Sequence, residues 1–343
     1  MSPASATVAL RRAPAGSVQA AVRQAMEAAG WRNHITAGAD VALKVNLGWD
    51  VFLPGAVSAP WVVEGVIETI RPHVASIALV ESDQVVADAD KALRQTRLDE
   101  VCRTHGVAWV NMSRGSFVRR RDPARGVLTD VEIPEILTRT EMITVPVMKT
   151  HDKTVITGAL KNQWGCLREL RHSYHLVLAQ AIVDVNTLVR PRFAVMDATV
   201  GLEGDGPKSG IPKEMGLVLA SGDPVALDSV AARVMSFDPL AIEHLTLAAA
   251  NGLGVADPDA IAVVGEDVAA VASPFRPSHH NAVSVAELLI RRSAVRRLVF
   301  DTPLFGLCCW ATRRYYDAWE LAVGRRLREH VLATSPYAAQ WLR

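Results

Sequence analysis

A dense group of polar residues follows a short apolar segment near the middle of the chain. The apolar segment, from Met142 to Val147, predicts a buried strand, and the residues after it include Lys149, His151 and Lys161. Charged and polar side chains of this kind do not contribute to the packing of an apolar core. Because open α/β sheets bind ligands just beyond the carboxyl ends of their strands, these three side chains are expected to form the floor of a binding site.

Hydroxyl residues in the same stretch predict the start of a helix. Thr154 or Thr157 is expected to cap it with a side-chain oxygen. The free N–H groups at a helix N-terminus favour negative charge, so this helix is expected to support an anion.

Further lysines and amides are expected to converge on the same edge of the sheet. Lys44 and Asn46 end the predicted strand Val41 to Asn46, and Lys208 lies in a glycine-rich loop, residues 201–210. Ammonium and amide donors suit a carboxylate or a phosphate, because charge-assisted hydrogen bonds are the stronger ones. The residues predicted to contact the substrate are Lys44, Asn46, Thr157, Asn162, Asp205 and Lys208. In the alternative, these lysines only form salt bridges with Glu81, Asp83 or Asp197.

Histidines supply the candidate proton-transfer groups. His151 and His175 are predicted to act as acid or base, with Lys149 and Lys161 as catalytic partners that stabilise an enolate or a leaving carboxylate. A second hypothesis is a divalent metal site for iron, zinc or manganese. Its predicted ligands are His151, His175, Asp197 and Asp83. For Cys166, packing in the core is favoured over a nucleophilic role.

Several motifs in order carry a family resemblance. The segment KTH-x2-T-x2-TGALKN-x2-G, residues 149–165, is followed by GDGP at 204–207 and GDPVALD at 222–228. From roughly Val41 to Gly265 the chain resembles the bacterial and archaeal family called domain of unknown function 362. Some members of that family carry ferredoxin-type iron–sulfur modules. This chain has no iron–sulfur motif of that kind, and its glycine-rich loop matches neither a P-loop nor a Rossmann fingerprint, so no nucleotide-binding motif is identified.

Composition and element order set the architecture. The chain has 343 residues, half of them hydrophobic, and 37 Lys+Arg against 36 Asp+Glu, so nucleic acid is not an expected partner. Alternating strands and helices predict an α/β fold, a mostly parallel sheet with helices on both faces. Residues 1–283 are predicted to form this domain, either whole or as two intimate halves meeting near residues 140–150, and residues 284–343 a C-terminal helical extension.

The extension mixes arginines and aromatic residues on apolar segments that are too short to span a bilayer, so no transmembrane segment is predicted. The favoured interpretation is helices packed on the body or on a second copy, which would make a homodimer. A membrane-surface segment is the alternative. The N-terminal residues show no export signal, and four cysteines without a disulfide or metal pattern fit the cytoplasm.

Together these features predict an enzyme that acts on a small anionic metabolite, a carboxylate or a phosphate. It would use histidine acid–base chemistry and a lysine/asparagine anion clamp, with or without a metal. The reaction class stays open between lyase or isomerase and oxidoreductase chemistry. The alternative function is a non-catalytic metal or ligand carrier, or a redox-partner protein related to iron–sulfur systems.

Overall fold

The structure, a computed structural model, describes residues 6–122, 126–168, 171–279, 282–300 and 302–341. The strands are β1 (Ala6–Arg12), β2 (Asp40–Val45), β3 (Ser76–Glu81), β4 (Ala108–Asn111), β5 (Phe117–Arg121), β6 (Asp130–Pro134), β7 (Glu141–Val145), β8 (Val147–His151), β9 (Val155–Ile156), β10 (Phe193–Glu203), β11 (Ile211–Ser221) and β12 (Ile261–Gly265).

The helices alternate with these strands. They are α1 (Val18–Ala28), α2 (Pro60–Ile70), α3 (Ala89–Gln95), α4 (Leu98–His105), α5 (Gly158–Asn162), α6 (Leu178–Val189), α7 (Pro224–Val234), α8 (Glu243–Ala250), α9 (Val268–Val271), α10 (Ala282–Arg292), α11 (Arg296–Phe300), α12 (Leu304–Trp319), α13 (Arg325–Thr334) and α14 (Ala338–Trp341).

One large sheet organises the fold. Its order is β12-β1-β11-β10-β7-β2-β3-β4, and β8 pairs with β10 and β9 beside this path. Neighbours along the path are parallel except where β11 pairs with β1 and with β10. The predicted, mostly parallel sheet is therefore confirmed, and the carboxyl ends of β2, β3 and β7 meet at one edge.

The sheet has a hydrophobic layer on each face. Along β2, Val41, Leu43 and Val45 belong to one buried cluster together with α1 and α2, whereas Ala42 belongs to a second cluster with α6 and α7. Successive side chains of a strand point to opposite faces, so this alternation places helices on both sides of the sheet. The predicted α/β class is confirmed.

The C-terminal helices return to the body of the protein. Tyr316 packs edge-on against Trp49 with ring centroids 5.1 Å apart, and Trp341 contacts Trp61 at 4.7 Å. The helical C-terminal stretch is thus confirmed and lies against the first part of the chain. Within the described residues, none of the helices combines the length and apolar character that a bilayer crossing requires.

A short hairpin lies apart from the main sheet. Its first strand, Phe117–Arg121, pairs antiparallel with β6. Arg119 and Arg121 both bind Asp130 across this hairpin. Their charges are therefore directed to a local carboxylate and do not form a rim of the site described below.

Candidate functional site

A cavity of about 530 Å³ lies where the carboxyl ends of β2 and β8, helix α5 and the loop after β10 meet the C-terminal helices. The predicted site residues that line it are Lys44, Asn46, Lys149, His151, Thr157, Lys161, Asn162, His175 and Lys208. These residues come from segments far apart in sequence, and the sheet brings them to one place. Gly206 and Pro207 of the GDGP turn also line this cavity.

Three predicted residues lie elsewhere. Asp205 is exposed, and its contribution to its own turn is a backbone oxygen that accepts a hydrogen bond from Ser209. Asp83 and Asp197 are likewise absent from the cavity lining. The expected substrate contact of Asp205 is therefore not supported by its position.

The lysine and histidine of the KTH motif belong to a strand and do not follow one. Pro146 ends β7, and the chain resumes as β8, Val147–His151, which pairs with β10. Lys149 and His151 are both buried. The predicted placement beyond the strand end is thus corrected: the second strand carries these side chains into the cavity wall.

Lys44 is neutralised by a neighbour. Its ammonium Nζ lies 2.8 Å from Oε1 of Glu81, and both side chains are buried. For Lys44 the structure therefore agrees with the alternative that this lysine forms a salt bridge with Glu81. Its positive charge is already balanced, so the clamp depends on the other lysines.

An amide pair positions Lys149. The Nδ2 group of Asn46 donates to Oδ1 of Asn162 at 3.1 Å, and Lys149 Nζ donates to Oδ1 of Asn46 at 2.9 Å and to the Ala56 carbonyl at 2.7 Å. Burial, and then the positive charges of Lys161 and neighbouring lysines, lower the pKa of Lys149 to about 7.

Two further ammonium groups face the cavity without a salt-bridge partner among the described residues. Lys161 lies 5.7 Å from the ring centroid of Trp164, and Lys208 lies 5.1 Å from that of Trp49. Burial lowers the pKa of Lys161 to about 7 and that of Lys208 to about 8. The aromatic faces attract cations. The charges of Asp152 and Asp50 favour the charged forms of Lys161 and Lys208 in part, but neither lysine forms a salt bridge within the described residues.

Thr157 presents an unused polar atom. Its Oγ1 is buried and has no hydrogen-bond partner in the described part of the chain, although the residue lines the cavity. The expected threonine cap is not formed: the carboxylate of Asp228 accepts hydrogen bonds from the amides of Ala159 and Leu160 at the start of α5. The helix N-terminus is therefore already occupied, while the Thr157 hydroxyl remains available to a ligand.

His151 is a neutral hydrogen-bonding group at neutral pH. The backbone N–H of Lys153 donates to its Nδ1 at 3.0 Å, which places the ring proton on Nε2. Burial, and then the charge of Lys161, lower the pKa of His151 to about 4, although Asp152 beside the ring partly offsets this. The imidazole is suited to donating a hydrogen bond from Nε2, more than to accepting a proton.

His175 is paired with a carboxylate from the C-terminal extension. Its Nδ1 lies 2.5 Å from Oε1 of Glu287, on α10, and the same Oε1 accepts a hydrogen bond from Arg291. Burial lowers the pKa of His175, and the Glu287 partner raises it in part. A carboxylate on one ring nitrogen fixes the tautomer and orientation of the imidazole, as in acid–base dyads.

The predicted metal ligands do not come together. The carboxylate of Asp197 accepts hydrogen bonds from Ala59 and Thr199, and that of Asp83 from Ala89 and Asn111. Within the described residues, no group of three or more His, Cys, Asp or Glu side chains could hold a metal ion. The four-ligand set is therefore not formed, and the histidines face other partners.

Cys166 is fully buried in one of the two hydrophobic clusters. Burial raises the pKa of its thiol to about 12, so the reactive thiolate is not populated at neutral pH. Core packing accounts for its position.

Comparison with known proteins places this site in a family. The family profile described as Domain of unknown function (DUF362) matches residues 41–233, more than half of the 343-residue chain. The chain belongs to the DUF362 family. The Thylakoid-associated protein sll1697 of Synechocystis sp. (strain ATCC 27184 / PCC 6803 / Kazusa) is 30% identical over 122 residues. This alignment covers 33% of the chain and 37% of that relative, so the chain spans little more than a third of the relative's length.

Two solved structures align with part of the chain. The lactate racemase apoprotein from Thermoanaerobacterium thermosaccharolyticum aligns with a TM-score of 0.42 and 11% identity, over 66% of this chain and 57% of that chain. A protein from Thermotoga maritima aligns with a TM-score of 0.32 and 6% identity, over 54% of this chain and 51% of that chain.

The DUF362 match divides the cavity into two parts. All nine predicted residues that line it, from Lys44 to Lys208, lie inside the matched range of 41–233. Glu287 and the other lining residues of α10, α11 and α12 lie beyond that range. Sequence reasoning missed Glu287, Asp152 and Lys153. The motif signal could have found the last two, because Asp152 and Lys153 stand next to His151 and line the same cavity.

Proposed function

We propose that this DUF362 protein is an enzyme that binds the carboxylate or phosphate group of a metabolite and moves a proton next to that group. The observation that supports the proposal is that three lysines with buried ammonium groups, Lys149, Lys161 and Lys208, line the cavity without a carboxylate partner among the described residues. Buried ammonium groups of this kind are stabilised by a bound anion.

The anion clamp is built around Lys149. Asn46 and the Ala56 carbonyl accept hydrogen bonds from its ammonium group, and Asn162 in turn holds Asn46, so the lysine is oriented before a ligand arrives. Lys161 and Lys208 supply the remaining positive charge. Thr157 adds a hydroxyl that can donate to an anion oxygen.

The proton-transfer group is His175. Glu287 holds its Nδ1, so the opposite nitrogen, Nε2, is the atom that would take a proton from the carbon beside a carboxylate. The electron pair left behind would move onto the carboxylate oxygens, where the ammonium groups stabilise the added negative charge. His151, neutral and protonated on Nε2, would donate a hydrogen bond to the same oxygens. Return of the proton to the opposite face of the same carbon, or to another carbon that shares the electron pair, completes an isomerisation. In a lyase reaction the electron pair instead forms a carbon–carbon double bond, and a leaving group departs from the neighbouring carbon with its bonding electrons.

The test is proton exchange in heavy water. A panel of small carboxylates is incubated with the full chain in D2O. Proton NMR follows the loss of the signal from the hydrogen on the carbon next to the carboxylate, as deuterium replaces it. His175→Gln is expected to slow exchange about 100-fold to 10,000-fold, the usual contribution of general acid–base catalysis. Lys213→Met, at a lysine paired with Glu203 outside the cavity, is the control and is expected to exchange normally. Normal exchange in His175→Gln would contradict the assigned role.

Anion binding without exchange anywhere in the panel would favour the alternative, a ligand carrier. Lys149→Ala separates the two functions further. It is expected to weaken binding in both, but it affects a catalytic rate only if the protein is an enzyme.

A further inference from the structure

The cavity has two chemically different walls. Its floor carries the ammonium, amide and imidazole groups described above. The second part of the lining is supplied by α10, α11 and α12, and its apolar members include Val283, Ile290, Val299, Phe300, Phe305 and Cys309. Charged and apolar surfaces therefore line one space.

The size of the cavity exceeds what an anionic group needs. A water molecule occupies about 30 Å³ of the liquid, so the volume of about 530 Å³ equals that of about 18 water molecules. A carboxylate or a phosphate on the lysines fills only a fraction of this space. The remainder lies against apolar side chains, where water gains few hydrogen bonds and an apolar group is favoured.

We propose that the ligand is an amphiphilic anion, whose carboxylate or phosphate head binds the lysines and whose apolar chain lies against α10, α11 and α12. The inference rests on the proposed anion site and adds the chemistry of the rest of the ligand. It also explains why Glu287 and the apolar wall come from the same extension: α10 positions His175 at the head and encloses the chain.

The test measures affinity against chain length. Calorimetric titration of the unaltered full chain at neutral pH uses acetate, butanoate, hexanoate and octanoate, and also methyl and octyl phosphate, all below their micellar concentrations. Each buried methylene is expected to lower Kd about fourfold, until the chain fills the cavity. The two head groups separate a carboxylate ligand from a phosphate ligand.

Two adjacent residues of α10 provide matched variants. Ile290 lines the cavity, whereas Leu289 is 66% exposed. Ile290→Ala is expected to raise Kd for octanoate at least about fourfold and to leave acetate unchanged. Leu289→Ala should change neither.

The outcomes distinguish this inference from the proposed function. If acetate and methyl phosphate bind as tightly as their octyl counterparts, the amphiphile is refuted and the anion site stands. If no anion of any length binds, the anion site itself fails. The chain-length series uses the unaltered protein, so it decides the matter even if Ile290→Ala does not fold.

A separate observation concerns the outer face of the same helices. Along α12 the cavity-lining positions are spaced as one helix face, while the opposite face exposes Leu304, Leu307 and Trp310. Leu307 is 60% exposed and Trp310 is 61% exposed. A helix that is apolar on both faces is expected to have an apolar neighbour on each side.

The two helices that precede α12 carry exposed arginines. Arg292, Arg296 and Arg297 are exposed and have no carboxylate partner within the described residues. In a twofold homodimer the same patch would face itself, which brings like charges together. Arginines beside leucine and tryptophan instead suit the surface of a bilayer that contains anionic lipids. We infer that this outer face of α10 to α12 docks on such a surface.

Vesicle flotation tests the docking. The full chain is expected to float with vesicles of phosphatidylcholine and phosphatidylglycerol, and much less with phosphatidylcholine alone. Trp310→Ser and the double variant Arg296→Glu/Arg297→Glu should each reduce flotation several-fold, while Lys213→Met should not. No flotation with either vesicle would overturn the inference. So would a dimer in sedimentation equilibrium that Trp310→Ser dissociates, because the face would then belong to a second copy.

Discussion

Binding of an anion in the cavity is expected to draw protons from solution. In the ligand-free protein the pKa is about 7 for Lys149 and Lys161 and about 8 for Lys208. Burial is the main cause for each of them. A bound anion favours the charged form and raises these pKa values towards the ordinary value of about 10.5. Protons are therefore taken up wherever the solution pH lies between the free and the bound values.

The expected magnitude follows from these pKa values. At about pH 8, a group with a pKa of about 7 is roughly one-tenth protonated and a group with a pKa of about 8 is about half protonated. If the anion restores full protonation, the three lysines together take up about two protons per anion. Each linked proton weakens binding about tenfold per pH unit, and the uptake approaches about three protons at pH 9, so Kd is expected to rise about 500-fold from pH 8 to pH 9. Because the lysines interact, this uptake belongs to the group and not to one residue.

The assay is calorimetric titration with sulfate, an oxyanion that does not itself titrate in this range. Titrations at one pH in buffers of different ionisation enthalpy give the number of protons taken up. Lys161→Met is expected to reduce the uptake by about one proton. Lys213→Met is the matched control, because Lys213 pairs with Glu203 outside the cavity.

Sulfate binding with no proton uptake would refute the reasoning, and so would an uptake that is unchanged in Lys161→Met. In the first case the lysines would be charged before the anion arrives, and in the second Lys161 would not be one of the groups that take up a proton. The low lysine pKa values used here would then be wrong, although sulfate binding itself would leave the anion clamp standing.

Three further predictions concern stability. Glu81→Gln leaves the Lys44 ammonium buried without its partner, so it is expected to lower the free energy of unfolding by about 3–5 kcal/mol in urea denaturation; a loss below about 1 kcal/mol would mean that water reaches the pair. Gly158→Ala places a Cβ on the Asp228 carboxylate at a φ of 58°. It should cost clearly more than Gly252→Ala, where φ is 71° and the added Cβ meets nothing within 4 Å, and equal losses of melting temperature would show that only backbone conformation matters. Finally, between the lowered lysine pKa values and about 10.5 the unfolded chain binds more protons than the folded one. The free energy of unfolding of the ligand-free protein should therefore rise with pH above about 7. Denaturant titrations in which this free energy falls as the pH is raised would contradict the prediction.

Much of the fold was predictable because its signals are local. Strands such as Ile77 to Val80 are short apolar runs with polar ends, and Pro60 lies at the first turn of α2, a position that proline favours. The motif lysines and amides were also predictable as neighbours. Parallel strands deliver their carboxyl ends to one edge, so Lys44 and Lys149 meet although more than 100 residues separate them.

The partners of these side chains were not predictable, since each partner is set by tertiary packing. Asp228 caps α5 across a separation of 69 residues, and Glu287 binds His175 across 112 residues. Neither contact has a sequence pattern, because any acidic residue at a suitable place would serve. Asp205 and Asp197 illustrate the converse: both look like ligands in sequence, but one is exposed in a turn and the other binds nearby amides.

The contrast between Lys44 and its neighbours argues for a ligand and against a structural role for the cavity charges. Lys44 shows how this fold satisfies a buried ammonium group, with a carboxylate 2.8 Å away. Lys149, Lys161 and Lys208 share the same cavity and lack such a partner within the described residues. Burying a charge without compensation opposes folding, and proteins retain such local violations mainly at functional sites. The anion that we propose as ligand would supply a negative charge next to these three lysines.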